Sequence, residues 1–173
     1  MNIYLTTKKW NPFSFMIRLF SKSKVSHLTF DDPERPTVVQ STRKGFLPLY
    51  KKAFLAQGHV KITFKFRPFD SDKRHLVIEA FWELLPYIGS GYDKPAIFGF
   101  IPYLLLGEMA PKANRLGRED LVFCSEAFYL LLKGCASRGV IKDKILAEYD
   151  RESFTPQNAL ELMLKYPEVF EKV

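Results

Sequence analysis

An α+β fold is predicted by three stretches of the chain. His59 to Phe66 alternates apolar residues with lysines, the period of a half-buried strand. Val25 to Phe30 alternates too, and Thr37 to Thr42 follows it across Asp31-Asp32-Pro33, the arrangement of a hairpin. Asp120 to Leu132 instead sets Phe123, Ala127, Leu130 and Leu131 at helical spacing, behind an aspartate that can cap the helix.

Taken in order, Ile3 to Thr7 reads as a short strand. Asn11-Pro12 supplies a cap and a first-turn proline for a helix reaching Ser21, with Phe13, Met16, Ile17 and Phe20 on one face. Lys22-Ser23-Lys24 is a polar joint into the hairpin, whose strands are separated by about six residues. Gly45 begins a loop, and Tyr50 to Gln57 makes one or two helical turns. In the His59 strand, Val60, Ile62, Phe64 and Phe66 share a face. Ser71 or Asp70 caps a helix through Leu85, with Leu76, Ala80, Phe81 and Leu84 apolar. Gly89-Ser90-Gly91-Tyr92-Asp93 breaks that pattern. The apolar window Ala96 to Ala110 contains Pro102 and is too short for a membrane helix. It reads as a buried helix or a groove wall, with membrane-surface contact the lesser alternative. A polar loop (Pro111 to Arg118) leads into the Cys124 helix, and Thr155-Pro156-Gln157 starts a last helix ending near Tyr166-Pro167. No repeat or linker divides the chain, so residues 1–173 are expected to form a single domain.

Composition narrows the classes of function. A charged fraction of 26% against 47% hydrophobic is globular, which excludes a disordered chain. The formal charge of +7 favours anionic surroundings, but no arginine-rich block or nucleic-acid motif accompanies it, so no specific nucleic-acid partner is expected. Cys124 and Cys135 do not make a disulfide framework. On one helix they would stand about 16 Å apart, beyond bridging distance. Three histidines without ligand spacing argue against a zinc site, and no metal or organic cofactor is implied. A reducing compartment fits, and the N-terminal residues lack the pattern of a signal peptide, so a cytoplasmic protein is expected.

Cys124 is the residue with chemical potential. In the first turn of its helix, unpaired N–H groups and the dipole favour a thiolate, so its pKa is expected to be low. A cysteine between Phe and apolar residues is also commonly inert core, and that reading stands beside the first. A cysteine nucleophile needs a base and an orienter for the base. His27 lies on one strand of the hairpin and Gln40 on the other, about 5 Å apart if the register sets them opposite one another. Gln40 could then accept from one imidazole nitrogen and leave the other free for Cys124. Taken singly, His27 is equally a half-buried strand residue and Gln40 an edge polar residue.

Ser26-His27-Leu28, Val38 through Phe46, Gly91-Tyr92-Asp93 and Phe123-Cys124-Ser125-Glu126 together resemble, in order, the circularly permuted NlpC-type papain-like proteins. The YiiX/YaeF-like branch is the nearest match, with the lecithin:retinol acyltransferase-like proteins more distant. The resemblance spans about residues 24 to 132, and the Thr155-Pro156 helix also looks similar. It implies a permuted papain-like α+β fold, in which a small antiparallel sheet packs against the helix carrying the nucleophile. It makes Cys124 the nucleophile, His27 the general base and acid, and Gln40 the orienting third member of a Cys-His-Gln triad. That third position is often Glu in close relatives, so Gln40 is a departure; an amide orients the ring but stabilises imidazolium less. Tyr92, Asp93 and Ser26 would line the substrate site. Asp93 equally reads as a cap or turn acceptor, Ser26 and Ser125 satisfy local backbone groups, and Glu126 is structural or pairs with a basic neighbour.

The resulting expectation is a cysteine hydrolase, an amidase or peptidase acting through a thioester on peptidoglycan-type or γ-glutamyl-like peptides. One alternative is a lipid-directed acyltransferase or esterase with a lipid amide or ester as substrate, for which membrane contact is compatible but not required. Another is a binding domain that keeps the fold with weak catalysis. A peptide, cell-wall or lipid-derived substrate is thus the expected partner.

Overall fold

The computed structural model describes residues 1–7, 15, 18–19, 23–42, 45–89 and 124–173. Among the described residues six strands form one sheet: β1 (Asn2–Thr6), β2 (His27–Asp31), β3 (Thr37–Thr42), β4 (Gly45–Tyr50), β5 (Val60–Phe66) and β6 (Phe170–Lys172). Their spatial order is β4-β3-β2-β1-β5-β6, and every neighbouring pair is antiparallel. Among the described residues, four α-helices with both ends defined accompany them: α1 (Lys51–Ala56), α2 (Arg74–Trp82), α3 (Cys124–Ser137) and α4 (Pro156–Lys165). The class is α+β.

Side-chain alternation gives the sheet two unlike faces. Ile3 and Leu5 on β1 stand opposite Phe30 and Leu28 on β2, and Phe30 opposite Val39 on β3. All five are buried in the main core with Phe64 and Phe66 of β5 and with Ala127, Phe128, Leu131 and Leu132 of α3. The other face carries a smaller cluster of Tyr4, Val38 and Phe54, the last on α1. Beside that cluster Asp31 is a buried acceptor for four donors: Asn2 N (3.0 Å), Asn2 Nδ2 (3.1 Å), Tyr4 Oη (3.1 Å) and Lys51 Nζ (2.9 Å). Burial raises the Tyr4 phenol pKa. Burial works to lower Lys51, but its hydrogen bonds to Asp31 and Tyr4 outweigh that and raise it. The turn residue read from Asp31-Asp32-Pro33 is therefore the hub that fastens α1 to the sheet; Asp32 makes the turn, accepting from the N–H groups of Glu34 and Arg35.

Several elements depart from the sequence reading. The loop expected from Gly45 is the edge strand β4, paired with β3 along its length. Pro48 is tolerated there because an edge strand has one side with no ladder donor to supply. β6 was not expected; three residues suffice because β5 provides the template. The register between β1 and β5 shifts at Leu5/Thr6, so Val60 joins the smaller cluster instead of sharing a face with Phe64 and Phe66. Neither Ser71 nor Asp70 caps α2, which begins after Lys73 without a side-chain cap. Ser71 instead closes a turn, its Oγ donating to Pro68 O (2.8 Å) and accepting from Lys73 N (3.2 Å). The Thr155 start of α4 is as expected, a capping box with Asn158 and a first-turn proline. Phe15, Arg18 and Leu19 are helical, and the rest of the helix expected from Asn11 lies outside the described residues, as do the window 96–110 and Asp120.

Candidate functional site

α3 lies on the main-core face of the sheet because its buried stripe, Cys124, Ala127, Phe128, Leu131 and Cys135, complements the apolar side chains of β1, β2 and β5. Phe128 touches Phe30 and Phe170, with ring centroids 6.2 and 6.3 Å apart. Its first turn is pinned from outside the sheet. Ser125 Oγ donates to Phe154 O (2.6 Å), a bond across 29 residues rather than the local one expected. Glu126, with a side chain 8% exposed, accepts from Arg151 Nε at 2.6 Å, which bears out a basic partner. That carboxylate also lies in the helical turn where the dipole favours negative charge.

These contacts seat Cys124 against the start of β2. The backbone N–H groups of Leu28, Ser125 and Cys124 itself face the sulfur and favour the thiolate. Burial outweighs them and pushes the thiol up to about 11, so the low pKa expected from helix position alone is corrected: desolvation is the larger effect. The Leu28 donor is available because the β2–β3 register begins only at Thr29 opposite Gln40. Cys135, on the same helix, is fully buried and pushed up to about 12 by the same desolvation. Both cysteines are free.

His27 and Gln40 share the face of the sheet opposite the main core. His27 stands opposite Thr6, and Gln40 opposite Thr29 and Leu47. The two are therefore diagonal, about 7–8 Å apart along the backbone and within reach of long side chains, rather than directly opposed. Both are partly exposed. Thr29 Oγ1, fully buried between Tyr4 and Gln40, has no hydrogen-bond partner among the described residues, so it does not hold the Gln40 amide. Alternation thus points His27 away from the Leu28 face, where Cys124 packs. Main-chain proximity works the other way: the Leu28 nitrogen facing the sulfur is two covalent bonds from His27 Cα. His27 is also the first residue of its strand, opposite Thr6. Ser26 is buried, its Oγ 3.5 Å from Thr6 O. Tyr92 and Asp93 lie outside the described residues.

Two features escaped the sequence reading. The four-donor arrangement on Asp31 had one signal, an acid at an inward position of an alternating strand. The identity of the basic partner of Glu126 had none, since Arg151 is 25 residues away in sequence. Among the described residues no group of three or more His, Cys, Asp or Glu side chains is placed to hold a metal ion, and no helix is long and apolar enough to cross a membrane. In comparisons with family models, curated proteins and solved structures, no match to this chain was found.

Proposed function

We propose that the chain is a cysteine-dependent amidase or peptidase of permuted papain-like fold, with Cys124 as nucleophile. The observation that supports this best is the seat of the sulfur: it faces the backbone N–H groups of Cys124 and Ser125 at the start of a helix and that of Leu28 on β2, the residue after His27. Such donors stabilise negative charge on sulfur, and on a neighbouring oxyanion once an acyl group is attached. His27 removes the thiol proton as the sulfur attacks the substrate carbonyl carbon, forming the C–S bond. The tetrahedral oxyanion collapses, the C–N bond breaks, and His27 returns its proton to the leaving amine. Water, deprotonated by His27, then cleaves the thioester and restores the thiol. Gln40 orients the imidazole by accepting a ring N–H, and Ser26, Tyr92 and Asp93 border the substrate. Peptidoglycan-type or γ-glutamyl-like peptides are the proposed substrates.

A lipid amide or ester is the second reading, favoured by the exposed Phe15 and Leu19 on the connection that leads into β2. A screen of acyl and peptidyl substrates, run against Cys124→Ala, tests both. Turnover of a peptide or lipid amide that disappears in Cys124→Ala is expected; turnover equal in the variant, or none with any acyl substrate, contradicts the assignment.

A further inference from the structure

The charge of this chain is unevenly placed. Residues 1–69 carry thirteen Lys and Arg against three Asp and Glu, a net of +10, whereas residues 70–173 carry thirteen against sixteen, a net of −3. The fold gathers the basic excess at one end of the sheet. β1 ends and β2 begins there, tied by Thr7 Oγ1 to Lys24 O (2.9 Å) and Ser26 N to Thr6 O (3.0 Å). β3 ends and β4 begins there, with Thr42 opposite Gly45, and β5 begins there, with Val60 opposite Thr6. The connections between these strand ends hold Lys8, Lys9, Arg18, Lys22, Lys24, Arg43 and Lys44 and no acid. At the opposite end, Arg35, Lys51, Lys52 and Arg67 are accompanied by the acids Asp31, Asp32 and Glu34. The connection from residue 90 to 123, which enters α3, is neutral, with four basic and four acidic residues.

The same end exposes apolar surface. Phe15 and Leu19, four residues apart and both helical, are 56% and 61% exposed. Lys24 and Lys61 are exposed, and among the described residues neither has an acidic partner. In sequence, the stretch from Lys8 to Lys24 sets lysines at both ends of an apolar and aromatic middle. Helical Phe and Leu side chains left in water beside basic residues are what a segment lying in a bilayer interface requires. A nucleic-acid groove would use the charge but leave Phe15 and Leu19 without a role.

We infer that this end of the sheet, with Phe15, Leu19, Lys24 and Lys61 at its described surface, docks on a bilayer bearing anionic headgroups. The aliphatic and aromatic side chains enter the headgroup boundary while the lysines meet the lipid charge. Each basic residue next to such a surface strengthens binding roughly fivefold, and salt weakens it. The inference does not depend on the chemistry of Cys124, so the Cys124→Ala chain binds like the parent.

Co-sedimentation of the full chain with vesicles tests it, comparing pure phosphatidylcholine with a 7:3 phosphatidylcholine–phosphatidylglycerol mixture. Binding to the mixture at least tenfold stronger than to phosphatidylcholine, and weakened by salt, is expected. Phe15→Glu/Leu19→Glu is expected to lower it at least tenfold, and Lys24→Glu/Lys61→Glu to do likewise. Leu164→Glu, at an exposed apolar position on α4, is expected to leave it unchanged; both pairs are surface residues, and an unchanged thermal midpoint checks that they fold. No preference for the anionic mixture overturns the inference. So does a Phe15→Glu/Leu19→Glu chain that binds undiminished, because the surface would then be a general polyanion site, or a Leu164→Glu chain that loses as much.

Discussion

The two ends of α3 hold the same kinds of groups in different settings. Each has a buried cysteine and an arginine reaching a glutamate. At the C-terminal end Arg138 bridges Glu83 (2.8 Å) and Glu79 (3.5 Å), both about half exposed, and donates to Gly134 O (3.1 Å). At the N-terminal end Arg151 reaches a carboxylate that is nearly sealed from water. Cys135 faces the interior with desolvation almost unopposed; Cys124 meets three N–H donors that partly offset it. Burial is therefore common to both thiols and distinguishes neither. The donors, and the neighbouring β2 strand, are what set Cys124 apart.

The largest expected difference is in turnover. Cys124→Ala should lower it by about 10³-fold or more, since a covalent nucleophile has no substitute. Cys135→Ala should leave turnover within about twofold and cost about 1–2 kcal/mol of stability through the small cavity it opens. Steady-state kinetics and denaturant unfolding of the two variants check this; equal kinetic losses would erase the distinction. Next come the ion pairs. Arg151→Ala removes the arginine from a buried carboxylate and is expected to cost about 3 kcal/mol, whereas Arg138→Ala loses only surface pairs and should cost under about 1 kcal/mol. Unfolding midpoints decide between that order and its reverse.

Much of this fold was legible because the strands alternate visibly. β3 matches its expected bounds, and β1, β2, β5 and α4 lie within a residue or two of theirs. β4 was hidden by Pro48, which reads as a strand breaker unless one knows that Gly45–Tyr50 sits at an edge. β6 is three residues long and owes its conformation to β5, so no local signal could mark it. At the site, Cys124 on a helix and His27 and Gln40 on paired strands were readable. The diagonal register was not, because it is set by the five-residue turn between β2 and β3 and by pairing with β1 and β4. The thiol pKa was misjudged because helix position is visible in sequence and desolvation is not.

A smaller effect separates the two thiols by pH. Each is raised above its unfolded value near 8.5, so the folded chain keeps a proton that the unfolded chain has lost. Stability is full below about pH 8.5 and declines above it, by about 1.4 kcal/mol per pH unit per thiol, until the folded thiol itself ionises. That decline ends near pH 11 for Cys124 and near pH 12 for Cys135. Chemical denaturation between pH 8 and 10 should therefore show a fall that Cys135→Ala roughly halves. A flat profile would mean that neither thiol is buried in solution. Smallest is the response to Gln40→Glu, where an added carboxylate raises the His27 pKa and favours the thiolate–imidazolium pair, so that turnover holds or rises severalfold and its acidic limb moves lower.

The partnership of Cys124 with His27 is tested most directly by thiol alkylation across pH in the Cys135→Ala chain, with and without His27→Ala. With His27 present, Cys124 should react at pH 7 at least tenfold faster than a thiol ionising near 11 allows. His27→Ala should remove that excess. Identical profiles with and without His27 would contradict the assignment and leave Cys124 a core residue.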